Sequence, residues 1–241
     1  MSSIIRPSIH LRQQCRWLRY PSTITLENAA AQAIYNASVK AIRQRGKFYI
    51  VLAGGTTPRG VYEVLRNMDA NWNAWYVYFG DERCLPTDSP ERNSLMASQS
   101  FLAHVDIPAN QVNIMPAELG AQAAANAYAE TIVNIKNFDL VLLGLGEDGH
   151  TASLFPDHYW GIEDNAPDTL AIFDAPKLPL QRVSLSAHRL SLTRQLIFLV
   201  NGRGKEQAIS DWKNGKEIPA AAITPKGEVE IYLNENITSV K

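Results

Sequence analysis

The chain reads as an α/β protein built on a mostly parallel sheet, and three observations predict it. Apolar runs of strand length alternate with longer segments of helical periodicity, the pattern of βαβ units. The run Phe138 to Gly144 is nearly all apolar, as a strand buried on both faces is. Four strand-like runs end in glycine, at Gly54, Gly80, Gly144 and Gly202. Open α/β sheets bind ligands at the carboxyl ends of their strands. If these four strands are neighbours, their junctions share one edge of the sheet.

Composition narrows the class. The chain has 241 residues, 46% apolar and 20% charged, with a net charge of -1. That supports a sizeable core and offers no basic surface for nucleic acid or membrane. Two cysteines, Cys15 and Cys84, make neither a disulfide framework nor a metal knot and suit a reducing, cytoplasmic setting. No apolar run is long enough to span a bilayer. Between Met1 and Leu26 there are arginines but no acids, the bias of a transit peptide. Pro7, Pro21 and the strand-like Trp17-Leu18-Arg19-Tyr20 run against that reading.

The elements follow in order. Thr25 is the expected N-cap of a helix from about Leu26 to Arg45, closed by Gly46. Its apolar face is Ala30, Ala33, Ile34, Ala37, Ala41 and Ile42. A strand from Lys47 to Ala53 leads through Gly54-Gly55-Thr56-Thr57-Pro58 into a helix reaching about Asn67, with Pro58 in its first turn. Ala74 to Phe79 is a second strand, with Gly80-Asp81-Glu82-Arg83 at its end and a loop from Cys84 to Asn93. Its aromatic residues are read as core. Helices are expected over Ser94 to Ala103 and Leu119 to Lys136. After the Phe138 strand, Thr151 opens a short helix or helical turn. Thr169 to Phe173, Arg182 to Leu185, Gln195 to Val200 and Glu228 to Leu233 read as strands, and Gly204 to Lys213 as a helix.

Each junction carries chemistry. Backbone N–H groups at a helix start favour a phosphate, so Gly54, Gly55, Thr56 and Thr57 are candidate phosphate ligands. The loop is neither a Walker motif nor a dinucleotide fingerprint, so a small phosphorylated ligand is indicated rather than a nucleotide. Strand alternation puts Asp81 and Arg83 on one side and Glu82 on the other. Arg83 can hold a phosphate or polarise a carbonyl. Gly144-Leu145-Gly146-Glu147-Asp148-Gly149-His150 brings a proton-transfer residue, His150, to a glycine-rich strand end, with Asp148 near enough to orient it. Lys205, just past Gly202, and Arg182 are further cations for an anion. A metal held by His150, Asp148 and His158 has no matching ligand spacing, so none is expected.

Taken together, five segments resemble one family. Ala53 to Pro58 is similar to the phosphate loop of the 6-phosphogluconolactonases. Gly80-Asp81-Glu82-Arg83-Cys84-Leu85-Pro86, with Asn93, resembles their D-E-R-x-x-P…N segment. Gly144 to Pro156 resembles their main signature almost letter for letter. Arg182-Val183-Ser184-Leu185 and Gly202 to Lys205 resemble later elements. Arg92 stands where the family usually has Ser, and Asn234 near a common Asp.

The resemblance implies one Rossmann-like domain over residues 1–241 with helices on both faces, residues 1–14 being a loosely ordered extension. It implies hydrolysis of 6-phospho-D-glucono-1,5-lactone without a cofactor, in the oxidative pentose phosphate pathway, by a monomer or small homo-oligomer. His150, Asp148 and Arg83 are then the expected catalytic residues. Gly54, Gly55, Thr56, Thr57, Asp81, Arg182 and Lys205 are expected to bind substrate. Two alternatives stand beside it. An amino-sugar-phosphate deaminase on the same fold carries a glutamate in an F-N-E-P segment, where this chain has Phe155 in Ser153-Leu154-Phe155-Pro156. A non-catalytic sugar-phosphate sensor needs the loop and the cations but not His150.

Overall fold

A computed structural model describes residues 13–237. The elements are β1 (Cys15–Tyr20), α1 (Thr23–Arg45), β2 (Phe48–Leu52), α2 (Thr56–Leu65), β3 (Trp75–Phe79), β4 (Asp81–Arg83), α3 (Asn93–Ser100) and α4 (Ala121–Ile132). They continue with β5 (Leu140–Gly144), β6 (Thr169–Ile172), β7 (Arg182–Leu185), α5 (Ala187–Ser191), β8 (Leu196–Val200), α6 (Glu206–Lys213) and β9 (Val229–Asn234). Six strands form a wholly parallel sheet in the order β1-β9-β8-β5-β2-β3.

This order settles the question of the four glycine junctions. Strands β8, β5, β2 and β3 are contiguous, so Gly202, Gly144, Gly54 and Gly80 follow neighbouring strand ends. The connections also divide the helices. From β1 to β2 to β3 the chain moves toward one edge, and from β3 through β5 and β8 to β9 it moves back. Right-handed crossovers in opposite directions lay their helices on opposite faces. Helices α1 and α2 pack together on one face, and α4 and α6 take the other. Strands β5 and β8, covered on both faces, are buried almost throughout. The aromatic strand is core as expected: Trp75 is buried and meets Phe48 edge-on, ring centres 4.7 Å apart.

Several local expectations are corrected. Helix α1 begins earlier, with Ser22 as N-cap. Ser22 accepts from the Thr25 backbone while Thr25 Oγ1 accepts from the Ser22 N–H, so Thr25 closes a capping box rather than opening the helix. Helix α4 starts two residues later than read, because Gly120 sits at φ 87, outside helical space. Asp81 to Arg83, read as sitting at the end of the preceding strand, forms a strand of its own, β4, which pairs antiparallel with β7. With β6 they make a second, three-stranded sheet, order β4-β7-β6, that leans on the strand ends of the first. No helix begins at Thr151. Ala152 takes a left-handed φ of 49, Thr151 and Leu154 close a tight turn, and Pro156 stops any continuation.

Of the expected N-terminal extension, residues 1–12 lie outside the described residues. Gln13 is held in place: its amide donates to the carbonyls of Ala220 and Ile223 and accepts from Trp212 Nε1.

Glu82 ties the small sheet to α3. Fully buried, it accepts from the backbone N–H groups of Arg83, Asn93 and Ser94 at 2.8–2.9 Å. Arg92, 1% exposed, stands 3.4 Å from it and also pairs with Glu118 at 2.8 Å. Glu82 is thus the N-terminal anchor of α3, and Arg92 is its counter-ion. Removing one partner of a buried pair strands the other. Glu82→Ala should therefore destabilise the fold by about 3–5 kcal/mol in urea unfolding. A loss under about 1 kcal/mol, the value of an exposed pair, would mean the pair is solvated.

Candidate active site

The strand ends of β8, β5, β2 and β3 surround a cavity of about 240 Å³. Its walls include Gly54 to Pro58, Asp81, Arg83, Gly144 to Gly146, His150, Arg182 and Lys205. Every expected site residue lines it except Asp148. A larger open groove, about 890 Å³, runs along α4 and β6. It contains none of these residues and presents no comparable convergence of cations and backbone donors.

The glycine loop enters α2 with Gly55 as N-cap and no side-chain cap. The first-turn N–H groups and the positive helix end therefore face the cavity without an internal partner, which suits an anion. Gly54 is needed for contact, since a Cβ there would lie 1.9 Å from Asn93 Oδ1. Asn93 in turn donates to the Asp81 carbonyl and to Asp81 Oδ1, both at 3.0 Å. Ser153 Oγ donates to Asp81 Oδ2 at 2.6 Å. Asp81 thus joins β4, α3 and the loop after β5, with both carboxylate oxygens already engaged.

Strand alternation sorts the acid pair as expected. Asp81 and Arg83 line the cavity while Glu82 is turned away. The Arg83 Nη1 donates to the Glu91 carbonyl, and its buried Nε has no protein partner. Arg182 is more committed than its sequence position suggests. Its Nε donates to the Pro179 carbonyl at 3.1 Å, and its Nη2 to those of Lys177 and Leu178 at 3.1 and 3.2 Å. Lys205 stands at the start of α6. Burial pushes its ammonium pKa down, against the opposing pull of Glu147. A bound dianion would restore the balance toward the charged form.

His150 is set by three features. Gly146 donates its N–H to the His150 carbonyl at 2.7 Å, closing the loop. The absence of a side chain at Gly146 makes room for the ring, for a Cβ would fall 2.0 Å from Nδ1. Asp148 Oδ1 accepts from the His150 backbone N–H at 3.1 Å and lies 2.5 Å from Nδ1. A carboxylate only accepts, so Nδ1 carries the proton, and in the neutral ring the lone pair is then on Nε2. Partial burial raises the Asp148 carboxyl, but the charge and hydrogen bonds of His150 outweigh it and hold it below the ordinary aspartate range. Its contribution is therefore present above about pH 4 and lost only as pH falls through the lower folded value.

Two cavity residues were not singled out from sequence. Asn93 was seen only as part of a segment, and Asn201 only as a strand end. Asn201 lines the cavity beside Lys205, where Asn234 donates to its Oδ1 at 2.9 Å and its own amide donates to Thr23 at 3.1 Å. The Asn201-Gly202 pair closing an apolar strand was the available signal. Burial pushes the Cys84 thiol up, away from the reactive thiolate form. His158 turns away from His150, toward Pro156 and Asp174. Among the described residues no cluster of three His, Cys, Asp or Glu could hold a metal, and no helix is long and apolar enough to cross a membrane.

A parallel α/β sheet carrying an uncapped helix start and a carboxylate-paired histidine at its strand ends has the layout of an α/β enzyme with its ligand site at the strand ends. Residues 21–232 match the family of glucosamine-6-phosphate isomerases and 6-phosphogluconolactonases, and the chain belongs to it. The 6-phosphogluconolactonase of Mycobacterium tuberculosis is 34% identical over 219 residues, covering 84% of this chain and 88% of that protein. The 6-phosphogluconolactonase of a Synechocystis strain is 36% identical over 210 residues, covering 81% and 85%. The solved 6-phosphogluconolactonase of Trypanosoma brucei superposes with a TM-score of 0.85 at 26% identity, covering 94% and 98%.

The close seat of the His150 ring makes a test. Gly146→Ala should lower kcat/KM about 100-fold, as an ångström-scale displacement of a reacting group does. Circular dichroism should stay unchanged. Wild-type activity in that variant would show that the ring position is not critical.

Proposed function

We propose that this enzyme hydrolyses 6-phospho-D-glucono-1,5-lactone to 6-phospho-D-gluconate, with His150 as the proton-transfer group. The observation that carries the reading is the Asp148–His150 pair, which holds the His150 ring at the wall of the phosphate-ready cavity. The loop Gly54 to Thr57 and Lys205 hold the phosphate, with Arg182 beside them. Arg83, or backbone N–H groups near Gly144 and Leu145, face the lactone carbonyl, the Gly146 N–H being already given to the His150 carbonyl. Asp81 acts by fixing the loop that carries these groups rather than by offering a free carboxylate.

His150 Nε2 takes a proton from water as the water oxygen bonds to C1. The carbonyl electrons move onto oxygen, and the nearby donors stabilise the oxyanion. As that intermediate collapses, the bond from C1 to the ring oxygen breaks. The imidazolium returns its proton to the leaving oxygen, and the new carboxyl group ionises to solvent. Asp148 keeps Nδ1 protonated and steadies the imidazolium formed in the first step. No metal or redox cofactor enters this sequence. The phosphate, the ester and the water are sufficient.

The deaminase alternative lacks its acid. Phe155 occupies that position, is buried, and sets its ring centre 5.0 Å from that of His150. A sensor has no use for a histidine whose tautomer is fixed by a carboxylate.

The test follows consumption of freshly generated lactone above its spontaneous hydrolysis. Wild type should show a large excess rate. His150→Ala should lower it about 100- to 10,000-fold with the fold intact, the usual contribution of general acid–base catalysis. Wild-type rates no greater than background would overturn the lactonase reading. Full activity in the variant would keep the substrate and remove His150 from its role.

A further inference from the structure

His158 lies eight residues past His150, and both of its ring nitrogens face oxygen acceptors. Nδ1 is 2.8 Å from the Pro156 carbonyl; Nε2 is 3.3 Å from the Asp174 carbonyl and 3.4 Å from Asp174 Oδ1. Carbonyl oxygens do not donate, so a neutral ring satisfies one side and turns a lone pair on the other. Only the imidazolium satisfies both. The ring therefore clamps two segments when charged: the loop after His150, and the connection of residues 173–181 between β6 and β7.

That connection bears directly on the site. Its carbonyls at 177–179 are the acceptors that frame the Arg182 guanidinium. Ala175 N–H donates to the Leu180 carbonyl at 3.0 Å, linking the Asp174 end to the other limb. Apolar anchoring of the connection comes from Ala175, which is buried, while Phe173, Leu178 and Leu180 are exposed, Leu178 at 80%. Polar ties at its two ends must hold the rest. On the other side of the clamp, Phe155 contacts His158 with ring centres 5.9 Å apart, and Arg182 lies 5.6 Å over the same ring.

We propose that His158, in its imidazolium form, is a positioning residue that clamps the 173–181 connection and thereby sets Arg182 for the substrate phosphate. The inference rests on the lactonase reading only for the identity of the phosphate ligand. The direction of its pH dependence follows from the surroundings. The Pro156 carbonyl raises the ring's pKa most, burial opposes it, and the Asp174 carbonyl and the charges of Asp174 and Asp157 raise it further. Glu130 of α4 and Asp168 line the adjoining groove and add negative charge. A raised folded value means the clamp is fully closed below the unfolded value of about 6.5. It is lost as pH rises through the folded value. Phosphate affinity then weakens on the alkaline side, while kcat, set by His150, does not fall with it.

The experiment measures KM and kcat for the lactone, and binding of 6-phosphogluconate by calorimetry, from pH 6.5 to 8.5. It uses the full chain as wild type, His158→Gln and His158→Leu. Variant-to-wild-type ratios cancel ionisation of the ligand itself. In wild type KM and Kd should rise about fivefold across the range, the low end of coupling between two sites. His158→Gln, whose amide donor does not titrate, should lack that rise. His158→Leu should bind about fivefold more weakly than wild type at pH 6.5, with the gap closing by pH 8.5. In both variants kcat should stay within about twofold, well below the effect of losing a proton-transfer group. Variants that track wild type at every pH would overturn the clamp, as would a loss in kcat alone. Lack of hydrolysis by wild type would count against the lactonase reading only, and the calorimetry would still decide the clamp.

Discussion

The site depends on how Asp148 holds His150. One carboxylate oxygen accepts both the backbone N–H and Nδ1 of His150, so the loop and the ring are fixed by the same atom. The contact is possible only because Gly146 leaves the space a side chain would take. It is useful only because β5 delivers the loop between β8 and β2, facing the glycine loop of α2 and the cations of the small sheet. Proton transfer, phosphate binding and the sheet order are thus consequences of one arrangement of strand ends.

The second sheet supplies what the first cannot. A parallel sheet ends in loops, and loops alone hold side chains loosely. Strand β4 continues almost directly from β3 and pairs with β7, which places Arg83 and Arg182 opposite each other in register. Glu82 and Asp81, on opposite sides of this short strand, fasten it to α3 and to the His150 loop. Arg92 meets Glu82 as a buried counter-ion and leaves the cavity untouched.

Much of this was legible in the sequence, for definite reasons. A parallel strand buried on both faces must be apolar throughout, so β5 and β8 announce themselves. A glycine required by close contact cannot be replaced cheaply, so Gly54 and Gly146 mark the site. Alternation along a strand sorts Asp81 and Arg83 from Glu82, and it holds because the segment is itself a strand, β4. What stayed hidden depends on partners distant in the chain. Nothing local to Arg182 says that its guanidinium is framed by carbonyls of the preceding turn. Nothing near Asp81 says that Ser153 and Asn93 occupy its oxygens. The turn at Thr151 was misread as helical because the left-handed Ala152 leaves no compositional trace. Asn201 was passed over because its role comes from Asn234 and Thr23, brought to it by the pairing of β8 with β9 and of β9 with β1.

The central claim is that Asp148 fixes the His150 tautomer and leaves Nε2 free to take a proton. Nitrogen-15 NMR of the histidine rings at neutral pH tests it most directly, with His150 assigned by loss of its signals in His150→Ala. The account predicts a protonated Nδ1 and an unprotonated Nε2, with the preference lost in Asp148→Ala. A neutral ring protonated on Nε2 would contradict it, because that nitrogen could not then serve as the base.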